Sequence, residues 1–190
     1  MKTEKPGDFF SGKNRESLSN LGFKAMTLVM KLMDVLGRHS QKNFKTLGLK
    51  SGQTVIDYGC GPARYIGFAS GAVGKTGKVI AVDIHPLAIA KVKEKIKKLS
   101  LTNVEAVLAE NNRTPISDET ADIVYALDMF HMVENTNLFL KELSRLVKKD
   151  GTIIIEDGHQ PRTQTIQKIK QSRCLKIIRE TKSHVKCQRS

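Results

Sequence analysis

The stretch TVIDYGCGPARYIGFASGAVG, residues 54–74, holds an apolar run broken by an acid, two glycines one residue apart, and a longer segment of small and apolar residues. Val55, Ile56 and Tyr58 are strand-forming side chains. Gly59 and Gly61 reach backbone conformations closed to other residues, and the segment from about 62 to 73 has the length and composition of a helix. A strand, a glycine turn and a helix in that order begin a βα unit.

Working outward, the order repeats. KVIAVD (78–83) reads as a strand, and PLAIAKVKEKIKKLSL (86–101) as a helix with apolar residues at 87, 89, 92, 96 and 99. VEAVLA (104–109) and ADIVYALD (121–128) are two more strands, followed by a helix over 136–148, a strand at TIIIED (152–157) and a helix over 162–172. LKIIRET and HVKCQ then face each other across Lys182 and Ser183 as a short hairpin. Strands separated by helices at this spacing predict an α/β, doubly wound, Rossmann-like and mostly parallel sheet, with an antiparallel C-terminal edge hairpin.

Upstream, residues 17–36 carry apolar residues at 25, 26, 28, 29, 32, 33, 35 and 36, which fits a helix with a wide buried face that Gly37 ends. The methionines at 26, 30 and 33 suit either core packing or an adaptable covering surface. The expected organisation is an N-terminal helical lid segment, 1–45, ahead of a ligand-binding domain, 46–190, the whole compact as one domain.

Composition narrows the class. A chain of 190 residues with 39% hydrophobic content buries one substantial core. Cys60, Cys174 and Cys187 show neither paired-ligand nor disulfide-framework spacing, so no metal site is expected and a reducing, cytoplasmic setting fits. No apolar run reaches the roughly 18 residues of a membrane span. The formal net charge of +13 is carried by the ends: residues 1–50 hold ten Lys/Arg against four Asp/Glu and 161–190 nine against one, while 51–160 holds thirteen against fourteen. The basic ends read as solvated faces or as a surface for an anionic partner. With 5% aromatic residues and no tryptophan, a stacking platform for single-stranded nucleic acid is disfavoured.

A glycine turn after the first strand of such a sheet is where nucleotide-like ligands bind. The dinucleotide pattern G-x-G-x-x-G fails, because Arg64 stands where the third glycine belongs. Asp57-Tyr58-Gly59-Cys60-Gly61-Pro62-Ala63 instead resembles the acid-x-G-x-G-x-G signature of class I S-adenosylmethionine-dependent methyltransferases, with Ala63 in place of the last glycine. A turn without a ligand remains the alternative. Asp83 ends the second strand beside the first, where a carboxylate can accept from both hydroxyls of a ribose; the alternative is an acid at a helix N-terminus.

The resemblance spans about residues 45–160 and implies further roles. S-adenosyl-L-methionine is the implied cofactor, with Asp57, Tyr58, Gly59, Cys60 and Gly61 around its methionine part, Asp57 orienting the amino end, and Ile84 against adenine. In VEAVLAENNRTPISDETADIV, Glu110 would accept from the adenine amino group and Asn111 would offer its backbone N–H, or Glu110 is an ordinary loop acid. In ADIVYALDMFHMV, Leu127 is the implied backbone contact near the sulfonium.

Methyl transfer needs alignment and exclusion of water above all. A hydroxyl or protonated-amine acceptor also needs a base at the strand carboxyl ends, where Asp128, His131, Asp157 and His159 fall. His131 is equally a packed structural residue in its apolar run, and Asp128 equally a helix cap. No Asn-Pro-Pro-Tyr, Asp-Pro-Pro-Tyr or Pro-Cys motif follows the fourth strand, which disfavours nucleobase methylation. The pattern is most similar to the small-molecule methyltransferases of ubiquinone and menaquinone biosynthesis. The expected function is methyl transfer to a small-molecule acceptor; the alternatives are RNA methylation guided by the basic ends, or a non-catalytic cofactor-binding partner subunit.

Overall fold

A computed structural model describes residues 20–36, 44–109 and 113–190. Among the described residues seven strands make a mixed sheet, mostly parallel with antiparallel strands toward the C-terminus. By their contacts the residues group into two compact units, one over Ser17–Leu108 and one over Ala109–Ser190.

In the first unit, helix α1 (Asn20–Leu36) precedes β1 (Thr54–Tyr58), α2 (Ile66–Val73), β2 (Lys78–Asp83), α3 (Pro86–Leu99) and β3 (Val104–Leu108). β1 pairs in parallel with β2, and β2 with β3, in a register that sets Asp57 beside Ala81 and Tyr58 beside Val82. Val55, Ile56, Val79, Ala81 and Val82 are all but inaccessible, as expected of strands covered on both faces. Each buried Val or Ile side chain among them contributes roughly 1.5–3 kcal/mol.

Two expectations are corrected here. The helix expected from about 62 starts only at Ile66, because residues 61–65 are spent on the turn. In α1 the apolar residues at 28 and 29 were expected on the buried face; Leu28 is 70% exposed and Val29 55%, while the buried line runs through Phe23 and Thr27. Phe23 lies flat on the His85 ring, with centroids 4.5 Å apart, and that stack orients the described face of the helix. The Thr27 hydroxyl is spent within the helix on the Phe23 carbonyl, so it is buried at little cost. Gly37 and the side chains of Met26 and Met33 lie outside the described residues.

In the second unit, β4 (Ala121–Ala126), a 3-10 turn (Phe130–Met132), α4 (Thr136–Leu146), β5 (Val147–Glu156), α5 (Arg162–Ser172), β6 (Leu175–Glu180) and β7 (His184–Arg189) follow one another. β4 pairs in parallel with β5, and β7 runs antiparallel between β5 and β6. β5 begins at Val147, five residues before the expected strand, because Lys148–Asp150 continue it as an exposed extension past a register shift. Gly151 is obligatory there: a Cβ would stand 2.6 Å from Val147 Cγ2 and 2.8 Å from the Asp122 carbonyl.

No helix among the described residues is long and apolar enough to cross a membrane. No group of three or more His, Cys, Asp or Glu among them could hold a metal ion.

Candidate functional site

β1 delivers the chain into a turn whose backbone is left-handed at Gly59 (φ 84°), Gly61 (φ 51°) and Ala63 (φ 63°). Two of these three positions carry glycine, for which that region costs nothing. Ala63, where the resembling signature has its last glycine, adopts the glycine-like conformation anyway, with a penalty of about 1–2 kcal/mol. Its carbonyl oxygen accepts from Lys95 Nζ at 2.7 Å, and the Arg64 carbonyl from the same ammonium at 3.3 Å. Lys95 of α3 thus holds the turn from outside, a role with no signal in the sequence because the partners lie 31 and 32 residues away.

The turn is tied to β2 as well. The Gly59 and Cys60 amides both donate to the Val82 carbonyl, at 2.8 and 3.0 Å. Gly61 donates its amide to Asp83 Oδ2 at 2.9 Å, and His85 donates its own to Asp83 Oδ1 at 2.9 Å. Asp83 is fully buried and Asp57, near the end of β1, is 2% exposed. His85 is the N-cap of α3, its Nδ1 accepting the Leu87 amide at 3.1 Å, and Asp83, also weighed as an acid at that helix start, accepts the amide of the cap residue.

The structure therefore brings Asp57, Tyr58, Gly59, Cys60, Gly61, Asp83 and Ile84 into one contiguous turn and strand end. Tyr58 is fully buried and Cys60 5% exposed, so their backbone rather than their side chains borders the turn, whereas Ile84 is half-buried. Fit to a cofactor can be tested at Gly61. A Cβ there would meet no atom within 4 Å, so its Cα faces open space, while an acidic residue at each strand end supplies acceptors for amine and hydroxyl groups. The residues present suit an aminoacyl nucleoside. Glu110 and Asn111 lie outside the described residues.

In the second unit, Leu127 and Asp128 are half-buried just past β4. Asp128 is left-handed (φ 54°) and does not cap the turn that follows: the N-cap is Met129, with no side-chain cap bond. Asp157 is committed to Arg162, whose Nε lies 2.8 Å from each carboxylate oxygen, and that pairing raises the Arg162 pKa above its usual value. His131 and His159 meet edge to face, with ring centroids 4.8 Å apart. Burial, with the neighbouring His159 and Lys168 adding to it against Asp128, holds His131 below the ordinary histidine range.

The methyltransferase domain family matches residues 49–187, and the chain belongs to it, as a class I S-adenosylmethionine-dependent methyltransferase fold with S-adenosyl-L-methionine as the cofactor. Among curated relatives, a demethylmenaquinone methyltransferase of Bacillus mycoides (strain KBAB4) is 31% identical over 121 residues, 64% of this chain and 51% of the relative. One from Bacillus cereus (strain AH187) is 30% identical over the same span. The chain spans about half the length of the curated relatives it matches.

Among solved structures, a SAM-dependent methyltransferase from Aquifex aeolicus aligns at TM-score 0.70 and 28% identity, over 78% of this chain and 88% of that one. The [4+2]-cyclase SpnF aligns at TM-score 0.59 and 14% identity, over 69% and 53%; at that identity the likeness is one of fold alone, and it shows the fold carrying other chemistry.

Proposed function

We propose that the protein transfers a methyl group from S-adenosyl-L-methionine to a small-molecule acceptor, of the quinone-related kind named for its relatives. The observation that carries this is the Gly61–Asp83 clamp: a left-handed glycine facing open space, held by the acid that ends β2.

When bound, the cofactor supplies an electrophilic methyl on a sulfonium that departs as a neutral thioether. The chain's own contribution is binding and orientation. Asp57 receives the amino end, Gly59 and Gly61 let the backbone pass beneath the methionine part, and the Asp83 carboxylate accepts from the ribose hydroxyls. Ile84 offers an apolar contact to adenine, and Glu110, Asn111 and Leu127 complete the contacts that the family resemblance implies.

Helix α1, within the N-terminal segment 1–45, acts as the lid. The stack of Phe23 on His85 sets α1 directly after β2, and a groove of about 460 Å³ lined by Phe23, Thr27, Leu28, Leu87 and Ala90 offers apolar surface to an acceptor of that character.

Calorimetry with S-adenosylmethionine, S-adenosylhomocysteine and NAD in parallel tests the cofactor, and labelled-methyl transfer to reduced naphthoquinones and to RNA tests the acceptor. Micromolar binding of the first two, with label in the quinol fraction, is expected; preference for NAD overturns the reading, and label in RNA alone replaces the acceptor.

A further inference from the structure

His131 follows β4 and His159 follows β5, two strands paired in parallel, so both rings stand past the carboxyl ends of neighbours. Their planes meet at 85°, His159 exposed and His131 half-buried. The seat beneath His131 is Gly158, left-handed at φ 63°. A Cβ at that position would fall 2.1 Å from His131 Nδ1 and 2.9 Å from Cε1, so the imidazole rests on a bare Cα that any other residue would push away.

His131 Nδ1 is buried in that seat with no hydrogen-bond partner among the described residues. A residue kept only for packing would be better served by a phenyl ring, which leaves no buried nitrogen unpaired. With Nδ1 shut in, Nε2 is the ring nitrogen left to meet a ligand.

The charged and titratable groups facing the ring are Asp128, His159 and Lys168. Lys168 is itself held, its ammonium 5.3 Å from the Phe130 ring centre and 2.8 Å from Gln160 Oε1, and Asp157 is occupied by Arg162. A half-buried imidazole beside two basic groups stays neutral at pH 7, the form that accepts a proton.

We propose that His131 takes the proton of a hydroxyl-bearing methyl acceptor on Nε2, with Gly158 as its seat and His159 as the positioning residue at its edge. The acceptor O–H bond breaks as N–H forms, and the electron pair stays on the acceptor oxygen. The proton then leaves to solvent past the exposed His159. The proposal rests on the methyltransferase reading and deepens it by naming the acceptor's reactive handle.

The full chain is tested with 1,4-naphthalenediol kept reduced, by labelled-methyl transfer across pH and by NMR of the histidine Cε1–H signals with S-adenosylhomocysteine present. The acid limb of kcat/KM is expected below about pH 6.5. His131→Gln is expected to lower kcat/KM by about 100-fold or more with cofactor affinity within about twofold of wild type. His159→Gln, at an exposed position, moves the acid limb to higher pH by removing a neighbour that holds the His131 pKa down, and the diol perturbs the His131 signal. The proposal is overturned if His131→Gln keeps more than about a third of the wild-type kcat/KM, if the His159→Gln limb stays in place, or if the diol leaves the His131 signal unmoved. A wild-type chain that binds no S-adenosylmethionine overturns the methyltransferase reading and this proposal together; normal cofactor binding with an indifferent His131→Gln overturns this proposal alone.

Discussion

The Gly61 amide donates to Asp83 Oδ2 at 2.9 Å, so the acid that ends the second strand holds in place the turn that follows the first. One carboxylate thus couples the shape of the glycine turn to the position of the strand beside it. Its second oxygen fixes the His85 amide, at the start of α3.

Replacing Asp83 by Asn turns one acceptor oxygen into an NH2 group facing a backbone N–H. The loss of one buried acceptor is expected to cost about 1–3 kcal/mol of stability. S-adenosylmethionine affinity is expected to fall at least about tenfold, since the proposed charge-assisted ribose contact goes with it. Urea unfolding and calorimetry read the two effects separately, and an Asp83→Asn chain that binds the cofactor normally contradicts the assigned role.

Ala63 tolerates φ 63° only because its side chain ends at Cβ. Ala63→Val places a branched side chain in a left-handed backbone and is expected to destabilise by about 2 kcal/mol or more. Ala63→Gly relieves strain, loses a methyl and loosens the unfolded chain, and is expected to stay within about 1 kcal/mol of wild type. Denaturant midpoints for the pair check both directions.

Glu142 is buried, and its Oε1 accepts from the Thr114 amide at 2.9 Å and the Thr114 hydroxyl at 3.0 Å. Arg145 closes the cluster with Nε 2.8 Å from Glu142 Oε2, and bonds to Asp118 lower that carboxyl below its usual value. Glu142→Gln leaves a mostly covered guanidinium with a weaker partner and is expected to cost about 2–4 kcal/mol, read from thermal or urea unfolding.

His184, 1% exposed, is pushed down to about 4, first by burial and then by Lys186, Arg162 and Arg179. The folded state therefore keeps it neutral while the unfolded chain takes up a proton below about 6.5. Stability attached to this group is complete above pH 6.5 and is lost as pH falls from 6.5 toward 4, by up to about 3 kcal/mol. Urea unfolding at pH 7.5 and pH 4.5 measures the slope, and His184→Gln is expected to flatten it; a wild-type slope unchanged in that variant contradicts the assignment.

The strands of the sheet were legible because parallel strands covered on both faces are written as unbroken apolar runs: KVIAVD is β2 from end to end. The glycine turn and both its acids were legible because they are contiguous or end adjacent strands. The residues that hold the turn were not. Lys95 reaches backbone carbonyls of the turn from another element while His85 caps its own helix, and nothing in a helix sequence says which carbonyl a lysine will reach. The start of α2 misled because no Ser, Thr, Asp or Asn marks it; Tyr65 stands at the cap with no side-chain bond. The exposed Leu28 and Val29 misled because apolar periodicity identifies a helical face without saying what covers it.

β7 follows β6 in the chain yet lies inside it in the sheet, antiparallel to both β5 and β6. The rim strand therefore reaches the sheet only through a neighbour synthesised after it. While the ribosome is still making residues 184–189, β6 has no ladder to join, and its backbone donors wait in water. A lesion confined to those six residues would unmoor two strands rather than one, so the last stretch of β-structure serves as the keystone of that flank.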